Sequence, residues 1–453
     1  MKDAHNQMHP TAQFCGVLNS EAVGDITPPP VEDRKTGTLS AGPGLSGGMD
    51  IRIARDFAEV ESLREAWSRW PGHRDSEIDF YLMILRSYPE VLRPHVIALY
   101  RNEQPEAILI GRLEQKKLAF RVGYLTLFQP KARCLEFVYD GLRGNASPEN
   151  TEILVREVMN CLRNGEADLA ILEFVRIDSV LYQFSKTLPG FLGRDTSPSQ
   201  TGHESLKLPP SIDELYKRMS SKRRSEIRRK AKKFVAQATP GTNIVCYRDP
   251  EQLDRIFQDV EEIAKKTYLR GLGAGFEDNT LVRARLELCA RKGWLRAYIL
   301  YIGDRPCAYW IGMLCGETFY GEYVGYDPEY RLLSPGMFVM LNVIETFCNG
   351  TSGDTVREVD FGFGNAEYKS ALCNSSSVEA SVFVFAPTLK GIRLNLIRTA
   401  AQMLDQVARK TISRANWLQK IKKTWRDRLS KRAKDGPPEA EPPGDGKPAS
   451  AAN

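Results

Sequence analysis

Histidine is scarce in this 453-residue chain: there are five, and none follows His203. That absence excludes a histidine-based triad or a histidine-rich metal site in the second half, and no Cys/His spacing supports zinc. The nine cysteines are scattered, with no CxxC pair, and several sit in apolar runs, Cys307 and Cys315 among them. Buried reduced thiols in a cytoplasmic protein are the expectation. No apolar run approaches the roughly 18–20 residues of a membrane-spanning helix. No apolar h-region opens the chain, so no secretory signal is expected. What is present is ordinary for a globular protein: 42% hydrophobic and 26% charged residues, at a length that suits two or three domains.

The formal net charge of +6 conceals a strong asymmetry. From Lys217 to Lys233 ten Lys/Arg meet one acid, Glu226, giving +9. From Lys390 to Lys434 fourteen meet two, Asp405 and Asp427, giving +12. The rest of the chain is left at −15, an acidic body with two basic helices attached.

Residues 1–48, with Pro28-Pro29-Pro30 and Gly42-Pro43-Gly44, read as a disordered leader, and 435–453 as a disordered tail. Between them a first unit, 50–203, alternates helix and strand. It has strands at Ile51–Ala54, His95–Tyr100, Glu106–Leu113 and Asp168–Val175, helices at Phe57–Arg69 and Glu152–Asn164, then a loop. The second unit, 204–388, opens at Ser211 with Glu214 three residues on, a capping box whose helix carries the first basic island. A helix at Gln252–Lys265 precedes strands Trp294–Ile302, Pro306–Met313 and Thr318–Val324. Ser334-Pro335-Gly336 then leads into a helix Met337–Cys348, followed by strands Glu358–Phe361 and Glu379–Phe385. A basic amphipathic helix spans 389–434.

Three antiparallel strands leading through a Pro/Gly turn into a helix, then a strand parallel to the third, resemble the GCN5-related N-acetyltransferase (GNAT) fold. The first unit is compatible with a degenerate copy by element order alone. Several stretches resemble the acetyltransferase domain of CelD-type proteins, linked to bacterial cellulose and exopolysaccharide production. They are Arg296–Tyr301 with Gly303-Asp304-Arg305-Pro306; Thr318-Phe319-Tyr320 with Gly325–Tyr330 and Ser334-Pro335-Gly336; Asp360–Lys369; and the basic helix Lys222–Lys233. The tandem arrangement is similar to the FemABX aminoacyltransferases. The resemblance implies an α/β mixed-sheet acyl-CoA N-acyltransferase fold in two tandem units. It also implies acetyl-CoA or another acyl-CoA as co-substrate, no metal, and direct attack of an acceptor amine, or a hydroxyl, on the thioester. The acceptor would be a sugar or cell-envelope precursor.

Each candidate residue has an ordinary alternative. Ser334, Pro335 and Gly336, with Arg331, open a helix whose free N–H groups suit a pyrophosphate. The run Arg331–Gly336 departs from the family's Gln/Arg-x-x-Gly-x-Gly/Ala, and a plain strand-to-helix turn fits it too. Glu322 is a candidate general base, and Tyr326 or Tyr330 a donor to the leaving thiolate; a surface carboxylate and packing aromatics are the alternatives. Asp360, ending an apolar strand, is a candidate for the acceptor amine or a turn cap. Tyr368-Lys369 is the sharpest pair: a similar Phe-Lys pair in FemABX enzymes implies that Lys369 faces the oxyanion, against a solvated lysine. Arg223, Arg224 and Arg228 stand in a helix with a thin stripe, Met219, Ile227 and Ala231, suited to CoA phosphates, an anionic saccharide or tRNA. In the tail, Leu396, Met403, Leu404 and Val407, then Leu418, Ile421, Trp425 and Leu429, form a stripe that packs on the body or, through 389–429, lies on the inner face of the membrane. The first of these is the expectation. A degenerate scaffold binding an anionic ligand or a polysaccharide synthase, and an aminoacyl-tRNA-dependent transferase, remain as alternatives.

Overall fold

The computed structural model describes residues 48–413, apart from 123–124, 239–240, 268–269, 271–274 and 365. The expected leader, the tail beyond 413 and the stripe Leu418–Leu429 lie outside the described residues.

Fourteen strands follow in chain order: β1 (Met49–Ala54), β2 (Val91–Arg101), β3 (Gln104–Lys117), β4 (Phe120–Val122), β5 (Leu125–Phe128), β6 (Lys131–Gly144), β7 (Leu169–Arg176), β8 (Ser199–Lys207), β9 (Thr242–Tyr247), β10 (Leu295–Ile302), β11 (Arg305–Cys315), β12 (Thr318–Tyr326), β13 (Glu358–Phe363) and β14 (Ser375–Phe385). β4 and β5 form a small hairpin; the other twelve form one sheet in the order β1-β2-β3-β6-β7-β14-β8-β13-β12-β11-β10-β9.

That order is an internal repeat. β1, β2, β3 and β6 are antiparallel neighbours, then β6 pairs with β7 in parallel through the helix Pro148–Arg163. β9, β10, β11 and β12 repeat the arrangement, and β12 pairs with β13 in parallel across the helix Pro335–Cys348. The closing strands are exchanged. β8 follows β7 in the chain but pairs with β13, while β14 follows β13 but pairs with β7. β8 and β14 pair with each other, sealing the halves into one sheet. The unit boundary expected at 203/204 falls inside β8.

Local chemistry accounts for the elements. Asn102 and Glu103, at φ 51° and 64°, make the tight turn between β2 and β3. Pro148 opens its helix behind a Ser147 cap that accepts from Asn150 N at 3.2 Å. Leu154 and Val158 pack one face of the first half, and Tyr81 and Leu82 of the helix Ile78–Ser87 the other. In the second half Val339 and Ile344 take one face, and Ile256, Val260 and Leu286 the opposite one.

Several expectations are corrected. The helix expected over Phe57–Arg69 is two, broken at Leu63. The loop after β7 contains a helix, Val180–Thr187. The basic island divides: Ser211 caps Ile212–Arg218, and Ser220 caps a second helix, Ser221–Gln237, that holds most of the cations. Phe234 is buried with Ile227 in that helix, whereas Ala231 is half-buried. In the helix Leu389–Ser413, the stripe expected to pack on the body is exposed, and Leu394 and Ala401 pack instead.

Candidate active site

Parallel pairing between β12 and β13 lasts three residues, Thr318↔Glu358 to Tyr320↔Asp360, and then the strands part. Two bulges drive the separation. β12 shifts register against β11 beside Gly321 and Gly312. A Cβ on Gly321 would stand 2.7 Å from Trp310 Nε1, so only glycine fits there. β13 shifts against β8 between Asp360 and Phe363, with Gly362 at φ 67°. The other half repeats this: β6/β7 pairing ends at Phe137↔Leu172, and Phe174, two residues on as Gly362 is from Asp360, has φ 46°. Phe174 and Phe363 stack at 4.1 Å where the two openings meet.

Asp360 lies at the mouth of the second opening. Its Oδ1 accepts from Gly362 N at 2.6 Å and pairs with His203 Nε2 at 2.7 Å. His203 Nδ1 lies 3.1 Å from Glu379 Oε1, and the Tyr139 hydroxyl 3.1 Å from that nitrogen. Burial opposes charge on this imidazole, but the bonds to Asp360 and Glu379 prevail and raise its pKa to about 10. Burial also opposes charge on Asp360, yet His203 holds its carboxyl below the usual range. His203 is therefore an imidazolium clamped between two carboxylates, one from each side of the strand exchange.

Lys369 is 6% exposed, in the short helix Glu367–Leu372. Its Nζ donates to Gly362 O at 3.0 Å and Phe363 O at 2.6 Å, beneath the β13 bulge. Burial lowers its pKa to about 8, with nearby Asp360 opposing the shift. A solvated surface lysine is thereby excluded. Counted from the last parallel pair, the first half has Leu172 where the second has Asp360, and Leu181 where it has Lys369.

Glu322 stands apart from this pair. Its Oε1 accepts from both Arg74 and Arg285, in a pocket that leaves the side chain 5% exposed. Arg74 comes from the first half, so the carboxylate is an inter-half clamp: Oε1 is held by the two guanidinium groups, while Oε2 is buried without a hydrogen-bond partner. Neighbouring His73 lies edge-on to Tyr139 and Tyr320, each at 4.6 Å, and burial lowers its pKa to about 4.

The helix Pro335–Cys348 opens at Ser334, a non-glycine residue at φ 55° that makes no side-chain cap. Pro335 and Gly336 are buried, Ser334 and Met337 half-buried, and Arg331 exposed. Tyr326 lines this turn: a Cβ on Gly336 would lie 3.5 Å from its ring. Tyr330 lies against Phe234 of the basic helix at 6.5 Å, and Phe338 at 5.1 Å, so that helix runs beside the turn. Arg228 there is exposed and pairs loosely with Asp213 at 3.6 Å; Arg223 and Arg224 are half-buried. Tyr368 packs on Phe361, ring centroids 6.0 Å apart, in the same apolar cluster as Tyr326 and Tyr330.

The structure thus places Lys369 beside Asp360, sets Tyr326 and Tyr330 at the Ser334 turn and Tyr368 on Phe361, and pairs Glu322 with Arg74 and Arg285. Sequence reasoning missed His203, His73 and Glu379. β8, with Gly202 amid polar residues, carries no strand signal, so nothing marked His203 as a neighbour of Asp360. A second cluster, His95, Cys161 and Glu166, places three potential metal ligands within 4.8 Å. Arg55 and Arg93 already hold Glu166, and Arg93 Nη1 lies 3.2 Å from His95 Nδ1, charges that oppose a cation there.

Residues 221–370 match the family described as an acetyltransferase (GNAT) domain. None of the curated proteins compared matches the chain. Among solved structures the chain is similar to FemX, at 12% identity over 75% of this chain and 98% of that one, TM-score 0.48. It is similar to a tandem GNAT protein from the clavulanic acid biosynthesis pathway, at 12% over 75% and 99%, TM-score 0.40. It is also similar to L-PGS from Bacillus licheniformis, at 11% over 65% and 85%, TM-score 0.39. The matched domain and the twice-repeated sheet order make this a GNAT-type fold in two tandem units.

Proposed function

We propose that the chain is an acyltransferase that moves an acetyl or similar acyl group from acyl-CoA to an amine of a sugar or cell-envelope precursor. The observation that carries this reading is Lys369, buried beside Asp360 and anchored by two carbonyls where the β12/β13 opening begins. The helix N-terminus at Ser334–Gly336 would receive the pyrophosphate, with Arg331 and the cations of Ser221–Gln237 as its anionic-ligand surface. The acceptor nitrogen attacks the thioester carbon as its amine. The C–N bond forms, and the oxyanion is met by the Lys369 ammonium. The C–S bond breaks and the thiolate takes a proton from Tyr326 or Tyr330. The proton shed by the new amide passes to Asp360, whose Oδ2 is left for the acceptor because Oδ1 is taken by His203 and Gly362.

Two findings support assigning the chemistry to the second unit and a non-catalytic role to the first. The family match lies at 221–370, and Leu172 and Leu181 replace the two ionisable groups. Glu322 is better suited to positioning than to proton transfer, given its two guanidinium partners. A cytoplasmic location fits the unpaired cysteines; all eight among the described residues are free. The link to exopolysaccharide synthesis rests on the sequence stretches alone. The test is transfer of radiolabelled acetate from acetyl-CoA to a panel of amino sugars, with Lys369→Met as control. Labelled product that the variant fails to form supports the reading. Tight CoA binding with no transfer to any amine points to a scaffold, and transfer only from aminoacyl-tRNA points to the other donor.

A further inference from the structure

We propose that the helix Leu389–Ser413 docks the protein on an anionic membrane surface. This inference is independent of the acyl-transfer chemistry. One side of the helix is fixed to the body. Leu394 and Ala401 pack on Leu169, Ile171 and Phe120. Asn395 Nδ2 donates to Leu192 O at 2.8 Å and Arg194 O at 3.1 Å, and Arg398 pairs with Asp195 at 3.1 Å. These contacts orient the opposite side outward. There Leu396, Met403 and Val407 are 60–62% exposed, in line with Leu389 and Ala400 at alternating four- and three-residue or seven-residue steps.

The neighbouring elements extend this apolar character. Phe191 and Leu192 are exposed in the loop that holds Asn395, and Leu127 and Phe128 are exposed in the β4–β5 hairpin, whose Phe120 packs against the helix. The other large exposed apolar residues among those described, such as Leu92 and Val378, stand singly elsewhere. Scattered exposure is normal; a concentration on three adjoining elements marks an interaction surface.

Charge identifies the occupant. The segment Lys390–Lys434 carries +12, and beyond Ser413, outside the described residues, the sequence adds nine Lys/Arg against Asp427, interleaved with Trp417, Leu418, Ile421 and Trp425. A second copy would bring +12 against +12, whereas anionic headgroups neutralise it. Among the described residues no helix is long and apolar enough to cross a membrane. An apolar stripe combined with a basic segment supplies the two contributions that hold a helix in the interfacial plane.

The test is co-sedimentation of the full chain with vesicles of phosphatidylglycerol and phosphatidylcholine (3:7), against pure phosphatidylcholine. The expected result is at least tenfold more protein bound to the anionic vesicles, falling as salt is raised. In the full chain, Leu396→Glu/Met403→Glu/Val407→Glu removes that binding while leaving the thermal transition in place, because all three side chains face solvent. Should the triple variant lose its cooperative melt, Leu396→Gln and Met403→Gln singly carry the test, each weakening binding severalfold. Truncation at 388 is unsuitable because it uncovers Leu169 and Ile171. Equal binding to both vesicles, full binding by the folded variants, or a parent dimer that the triple variant converts to monomer each overturn the proposal.

Discussion

Replacing Lys369 by Met separates catalysis from stability at a single atom. Burial lowers the folded pKa from 10.5 to about 8, so holding the ammonium in place at pH 7 costs about 3 kcal/mol. The substitution removes that cost. It also strips Gly362 O and Phe363 O of their donor, a loss of about 1–3 kcal/mol for each group left unsatisfied. The two effects offset each other, so the variant should melt within about 5 °C of the parent. The pH dependence distinguishes them further. The folded state releases this proton before the unfolded state does, so the parent gains stability as pH rises from about 8 towards 10.5, and the variant lacks that gain. If the ammonium meets the oxyanion, kcat/KM of the parent falls as pH passes about 8, and the variant loses transfer by at least about a hundredfold. Thermal melts from pH 6 to 10 and single-turnover transfer over the same range provide the readout. A variant that unfolds at neutral pH, or that keeps its rate, refutes the reasoning.

His203→Gln removes the cation between Asp360 and Glu379. Because the folded pKa is raised, its stabilisation is complete below about 6.5 and disappears as pH rises through about 10; denaturant melts should show a loss of about 3–4 kcal/mol at pH 7 that vanishes near pH 10. Glu322→Gln leaves Arg74 and Arg285 without their carboxylate, so a destabilisation of about 3–5 kcal/mol is expected, with the shape of the pH–rate profile kept. Loss of that profile's rising limb would return Glu322 to the role of base. Residues 50–203 and 204–388 expressed separately should lack a cooperative melt, because the cut divides β8 and strands β14 from β7; two folded fragments would contradict the strand exchange.

Legibility in the sequence follows how far each signal depends on local chemistry. β10, β11, β12 and the helix after Pro335 are readable because apolar runs alternate with Gly and Pro punctuation over short distances. β6 is not, because the bulge at Asp140-Gly141 imitates a turn in the middle of a fourteen-residue strand. β8 is polar and glycine-interrupted, and it is a strand only because β13 and β14 supply ladders on both sides. The internal repeat survives in the backbone, where Phe174 and Gly362 occupy the same left-handed kink, while the side chains have diverged beyond recognition. Lys369 was legible from the motif it ends, yet its burial and its carbonyl partners were not. In the tail helix, periodicity revealed a stripe but not which stripe faces the body, since Leu394 and Ala401 form a second apolar line about half a turn away.

The central claim, an acyl-CoA seated at the Ser334 turn, is tested most directly by calorimetric titration of acetyl-CoA into the parent and Ser334→Asp. Aspartate suits a helix N-cap and tolerates the left-handed backbone at this position, so the fold should persist while a pyrophosphate is repelled. The account predicts one site per chain in the parent, weakened at least about thirtyfold, or about 2 kcal/mol, in the variant. No heat from the parent, or equal affinity in both proteins, would contradict it.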